Sequence, residues 1–333
     1  LLDNYYLLEE QFKEIQLTLD KKNYRKLPVL KTGNHVGFPR IYSIAADITE
    51  YLYGEITEEN IIAFLEGYQE YSPLTSKELW AFPIMLRICL LERIKQVAIY
   101  IYETMQLRKL GEQWAEKLLN CLAAVREENK PQEEFRKIIQ AHESEIGYLK
   151  PAYTERLLHR LREEGVDASP IIRWVDGKLA VYQTNADDIV NQVHQEQASY
   201  QVSIGNAITS LRLVSSLKWE DIYEEISILH RILKQDPAKI YSLMDFTTRN
   251  FYRQKIEELS IKYNIDEIDV AVMAIECARE DMNNSDDKFN HVGYYIIDDG
   301  LGKLKEKLGD RRTKNKNHNN TFVYFSSISI LTL

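Results

Sequence analysis

Apolar residues recur at helical spacing along almost the whole of this chain. In the first segment Leu1, Tyr5, Leu8, Phe12, Ile15 and Leu19 fall on one stripe. The pattern breaks at 26–40, where Pro28, Gly33, Gly37 and Pro39 predict a loop. Thr57, followed by Glu58 and Glu59, reads as a helix start, with acids placed favourably in the first turn. Thr75-Ser76-Lys77-Glu78 is a capping box opening the most apolar helix. Between Trp80 and Leu91 its one charge is Arg87, and Glu92, Arg93 and Lys95 follow, so it reads as a buried core helix rather than a membrane span. Pro83 is expected to kink it, because proline lacks an N–H for the carbonyl four residues back.

Further helices are predicted over 107–126, 132–146 and 151–164, and a long one runs from Asn185 to Leu217. Asp236-Pro237 reads as an N-cap and first helical residue, Asp245 as the next cap, and Asn264 to Glu267 as the one after. The segment 291–300 reads as a short strand or a helix-flanking piece. The expected fold is all-α, with two packed helical subdomains, 1–164 and 171–300, separated by the turn-rich 165–170. Residues 301–320 read as a basic linker, and 321–333 as either a last core element or the start of a membrane helix, the second being what the resemblance described below implies.

Composition supports helices. Glycine, 13 of 333 residues, and proline, 8, fall well below their usual shares of about 7% and 5%, and turn-rich β folds consume both. The three cysteines are too few and too scattered for a disulfide framework or a metal knuckle. Net charge is −9, which argues against a nucleic-acid surface. Between Lys303 and Lys316, however, seven basic residues stand against Glu306 and Asp310, directly before the uncharged run 321–333. A basic flank beside an apolar run fits the cytoplasmic side of a span.

No catalytic constellation emerges. The acidic pairs Asp187-Asp188, Asp286-Asp287 and Asp298-Asp299 read as a helix first turn, a loop and a turn, and no two aspartates have the Asp-x-Asp spacing that holds a metal in sugar-nucleotide transferases. Arg173-Trp174 follows Pro170 where a Gln-x-x-Arg-Trp motif would need glutamine, so Trp174 reads as a core anchor. The seven histidines include no zinc-spaced pair on a helix, and nucleophile elbows and phosphate loops are absent. The candidate interaction face is Asn206, Thr209 and Arg212, one helical step apart, with Trp219 nearby; Gly205 is expected to permit close helix approach.

Five stretches, 1–15, 72–92, 193–224, 235–253 and 291–300, together resemble the cyclic β-1,2-glucan synthases. Their sequences include "LLDNYYLLEEQFKEI", "SPLTSKELWAFPIMLRICLLE" and "HVGYYIIDDG". The resemblance implies a non-catalytic, cytoplasmic helical region of a very large inner-membrane enzyme that polymerises and cyclises glucose from UDP-glucose. It implies no cofactor in this chain, with UDP-glucose and a divalent metal held elsewhere in the parent. The implied partners are the glycosyltransferase domain, the membrane spans and the membrane itself through 321–333, with no nucleic acid. The rival reading is a free-standing, membrane-anchored helical scaffold.

Overall fold

A computed structural model describes residues 4–19, 24–127, 132–163, 168–281 and 287–309. The expected linker beyond 309, the apolar run 321–333, residues 165–167 and Asp286 lie outside the described residues. Among those described, regular structure is helical, and the only β pairing is an isolated bridge between Val29 and Pro39 inside the predicted loop. The all-α expectation holds.

The helices are α1 (Tyr5–Thr18), α2 (Arg40–Tyr51), α3 (Glu58–Gln69), α4 (Ser76–Glu127), α5 (Gln132–Ile146), α6 (Pro151–Glu163), α7 (Ser169–Val181) and α8 (Ala186–Ser216). They continue as α9 (Trp219–Ile226), α10 (Ile228–Leu233), α11 (Ile240–Leu243), α12 (Phe246–Tyr263), α13 (Glu267–Glu280) and α14 (Val292–Ile297).

Several starts follow the sequence directly. Thr57 Oγ1 accepts from the Asn60 N–H at 3.2 Å, and Asp245 Oδ1 from the Thr248 N–H at 2.9 Å. The capping box closes in both directions: Thr75 Oγ1 accepts from the Glu78 N–H at 3.3 Å, and Glu78 Oε2 from the Thr75 N–H at 2.9 Å. Each such bond satisfies a donor that a helix start otherwise leaves orphaned.

Other expectations are corrected. Two helices were expected within 76–126, but α4 is one 52-residue helix that continues through Pro83 and the charged residues after Leu91. No helix starts at Pro237. Lys239 takes a left-handed conformation (φ 58°) and α11 begins at Ile240. Asn264 (φ 54°) terminates α12 rather than opening α13, and Asp266, the residue at the α13 N-cap, makes no side-chain cap bond. The segment from His291 contains α14 and no strand.

Contacts group the chain into two units. One comprises 1–9, 49–56 and 88–212; the other 10–48, 57–87 and 213–333. Leu161, Ala168 and Ile171 share the core of the first unit with Trp114, Leu118 and Leu157. The second unit has its own core around Tyr241, Ile256, Val270, Ala274 and Ile296.

The close helix approach is at Gly111, not Gly205. A Cβ on Gly111 would lie 2.6 Å from the Tyr153 carbonyl oxygen of α6, whereas one on Gly205 would meet nothing within 4 Å. Gly111→Ala should therefore destabilise by about 1–3 kcal/mol through backbone displacement. Gly205→Ala should stabilise by about 0.5–1 kcal/mol by restricting the unfolded chain. Urea denaturation of the two variants checks the opposite signs.

Candidate functional site

The start of α4 is held by two carboxylates. The Glu78 side chain is fully buried and accepts from Arg40 Nε at 2.8 Å and Arg40 Nη2 at 2.6 Å while closing the capping box. Glu267 on α13 accepts from the Ser76 N–H at 3.0 Å and the Ser76 hydroxyl at 2.6 Å. Burial pushes the Glu267 carboxyl upward, and the Ser76 bonds oppose that rise.

Beside them lies a buried cationic cluster. Arg253, 1% exposed, places its guanidinium 4.9 Å from the Tyr223 ring and 5.0 Å from the Phe246 ring. Nη1 donates to Glu224 Oε1 at 3.1 Å. It also lies 3.3 Å from His230 Nδ1 and 3.4 Å from the Tyr241 hydroxyl. Nε and Nη2 have no hydrogen-bond acceptor among the described residues. The two aromatic faces supply the negative potential that stabilises them. Burial alone would raise Glu224, but bonds from Arg253 and Arg249 hold it below the usual carboxylate range. Burial pulls His230 down to about 4, with Glu224 opposing and Arg253 reinforcing.

Asp236, misread as a local cap, is a long-range hub. Its carboxylate accepts from the Tyr241 N–H at 3.1 Å and the Val292 N–H at 2.8 Å, and lies 2.8 Å from His291 Nδ1. His291 Nε2 lies 3.2 Å from the Tyr252 hydroxyl. Gly293 packs against this pair so closely that a Cβ would fall 2.3 Å from that hydroxyl. These three bonds outweigh burial and keep Asp236 below its ordinary range. The Asp236, His291 and Tyr252 side chains satisfy one another, so their chemistry is cohesive.

An open cleft of 470 Å³ lies between the first turns of α4 and the middle of α12. Lys77, Trp80, Ala81 and Ile84 line it from α4; Gln254, Glu257 and Glu258 line it from α12. Both sets follow steps of three and four, so each occupies one helix face. Thr18, Leu19, Tyr24, Leu27 and Met85 also line the cleft. Tyr223 stacks on Trp80 with ring centres 4.7 Å apart, and Phe246 meets Trp80 edge-on at 6.0 Å. Lys77 is paired with Glu257, and Lys255 with Glu258 at 2.7 Å.

The residues of the face expected on α8 differ in burial. Asn206 is half-buried, and Thr209 and Arg212 are exposed. Arg212 Nη2 donates to Asn4 Oδ1 at 2.6 Å. Trp219 falls in the other contact unit, where its indole N–H donates to the Val214 carbonyl at 2.9 Å and its ring packs on Phe82. The buried polar positions of α8 are instead Ser203, which accepts from Arg93 Nε at 2.8 Å, and Ser210, which accepts from the Ile56 N–H at 2.8 Å and donates to the Gly54 carbonyl at 2.7 Å. Trp174 is half-buried, packing edge-on against His142 at 4.8 Å, and Arg173 is exposed. Asp187 and Asp188 do sit in the first turn of α8, their N–H groups donating to Asn185 Oδ1 at 3.0 and 2.9 Å. No group of three or more metal-ligating side chains occurs among the described residues.

No model of a known protein family matches the chain. Over 280 residues, 84% of its length, the chain is 29% identical to cyclic beta-(1,2)-glucan synthase NdvB of Rhizobium meliloti (strain 1021). The chain is similar, over that stretch, to a cyclic β-(1,2)-glucan synthase. It spans 9% of that relative's length. Among the described residues no helix is long and apolar enough to cross a membrane.

The buried histidines set a pH response. His142 lies 2.6 Å from the Tyr153 hydroxyl, and burial pulls it down to about 4, against the raising effect of Glu143 and Glu145. Unfolded histidine titrates near 6.5. The stabilisation from keeping His142 and His230 neutral is thus complete above about 6.5 and is lost as pH falls toward 4. Urea stability should fall across that window, and the slope should flatten in a His142→Gln/His230→Gln double variant. A slope unchanged in the double variant would assign the response to other groups.

Proposed function

We propose that this chain is the N-terminal, non-catalytic region of a membrane-bound glucosyltransferase that makes cyclic β-1,2-glucan from UDP-glucose. The observation that carries the reading is similarity over 84% of the chain to a synthase of which it represents 9%. A region of that size within a far longer polypeptide suits a packing module, set against the glycosyltransferase domain or the growing glucan. The way Arg253, Glu224, Asp236 and His291 engage one another supports this, because those groups are committed to holding helices together. UDP-glucose and a divalent metal belong, on this reading, to other parts of the parent enzyme. The basic stretch ending at Lys316 and the apolar run after it lead toward the inner membrane, with the helical body on the cytoplasmic side. Similarity to a synthase over most of the chain favours this over a free-standing scaffold.

The purified chain, incubated with UDP-glucose and Mg²⁺ or Mn²⁺, should release no UDP above a protein-free control. Turnover that disappears when Asp187-Asp188 or Asp298-Asp299 is changed to alanine would overturn the non-catalytic assignment.

A further inference from the structure

We propose that the cleft between α4 and α12 binds a neutral run of glucose units, one ring stacked against Trp80 and its hydroxyls held by Gln254, Glu257 and Glu258. This rests on the synthase reading above and adds to it a defined place where the chain meets glucan. The volume of 470 Å³ lies in the range of small-ligand sites, roughly 300–1,000 Å³. Trp80 remains 36% exposed although its ring is braced by Tyr223 and Phe246. A large aromatic surface held in a fixed orientation costs little ordering on binding. A pyranose offers such a ring an apolar C–H face while its rim stays polar.

The polar lining selects the ligand class. Glu257 and Glu258 are hydrogen-bond acceptors, the Gln254 amide both donates and accepts, and the Tyr24 hydroxyl does the same. This mixture suits hydroxyl groups, each of which donates and accepts. It does not suit an anion. Among the described lining residues the one cation, Lys77, is already paired with Glu257, and Glu258 is paired with Lys255, so neither supplies a free positive charge for an anion. A nucleoside diphosphate sugar would bring its phosphates against that lining, whereas a neutral glucan segment brings no charge. A purely apolar ligand would strip water from the carboxylates and the amide without replacing their bonds.

The test uses the whole 333-residue chain and a linear β-1,2-linked glucose hexamer, read by saturation-transfer NMR on the sugar, a signal independent of tryptophan emission. The hexamer should bind saturably, and UDP-glucose should not displace it. Trp80→Ala should weaken binding about tenfold, the loss of one aromatic stacking surface and its burial. Gln254→Ala, at an exposed position where the fold does not depend on the side chain, should weaken it about threefold, one hydrogen bond. Absence of hexamer binding, displacement by UDP-glucose, or binding unaltered in both folded variants would each overturn the cleft assignment. Absence of hexamer binding together with no UDP release would remove the cleft and leave the synthase-region reading. Hexamer binding together with UDP-glucose turnover would remove the non-catalytic reading and leave the cleft.

Discussion

The Glu78 carboxylate is the constraint around which the second contact unit is arranged. It has no solvent exposure, and an ionised group in that position is tolerable only if its acceptor sites are filled. Thr75 fills them from its N–H and hydroxyl, and Arg40 from two nitrogens of its guanidinium fork. Arg40 reaches on to the Ser72 hydroxyl at 2.6 Å and the Pro73 carbonyl at 3.0 Å, so one cation ties the start of α2 to the turn before α4. Glu267 secures the next residue, Ser76, from α13. These bonds fix where the 52-residue α4 begins and which of its faces carries Lys77, Trp80 and Ile84.

From that start, polarity inside this unit follows one logic. Tyr223 donates to Ser76 at 3.2 Å, stacks on Trp80 and receives the Arg253 guanidinium over its ring. Arg253 in turn meets Glu224, His230 and Tyr241, and Tyr241 leads through its backbone to Asp236 and His291. Breaking one member of such a network leaves the rest buried and unpaired, which makes the network specific as well as cohesive. The cleft is where the braced Trp80 reaches the surface.

What was legible in the sequence was short-range. The Thr57, Thr75 and Asp245 caps depend on partners three residues away, and the sparse glycine and proline pointed to helices. Misreadings came where a side chain with a good local role had a distant one instead. Asp236 serves His291, 55 residues on, and Glu267 serves Ser76, 191 residues back, rather than its own helix start. On α8 the spacing that groups Asn206, Thr209 and Arg212 does not reveal that the buried polar positions are Ser203 and Ser210, because periodicity finds a face but not which residues are inside. Gly111 and Gly205 look alike in sequence, and only the Tyr153 backbone distinguishes them. The cleft was absent from the sequence reading because its residues are divided between 77–84 and 254–258, and each set on its own looks like an ordinary amphipathic helix.

The dependence on Glu78 is most directly tested by a double-mutant cycle, Arg40→Ala, Glu78→Gln and both together, with unfolding free energies from urea titration. Groups that share a buried ion pair and one hydrogen-bond network couple by about 0.5–3 kcal/mol. The account predicts a coupling of at least about 1.5 kcal/mol, because either single change strands the other group and the double change does not. Additivity within about 0.3 kcal/mol would contradict it and would mean that the start of α4 is held by something other than the Arg40–Glu78 pair.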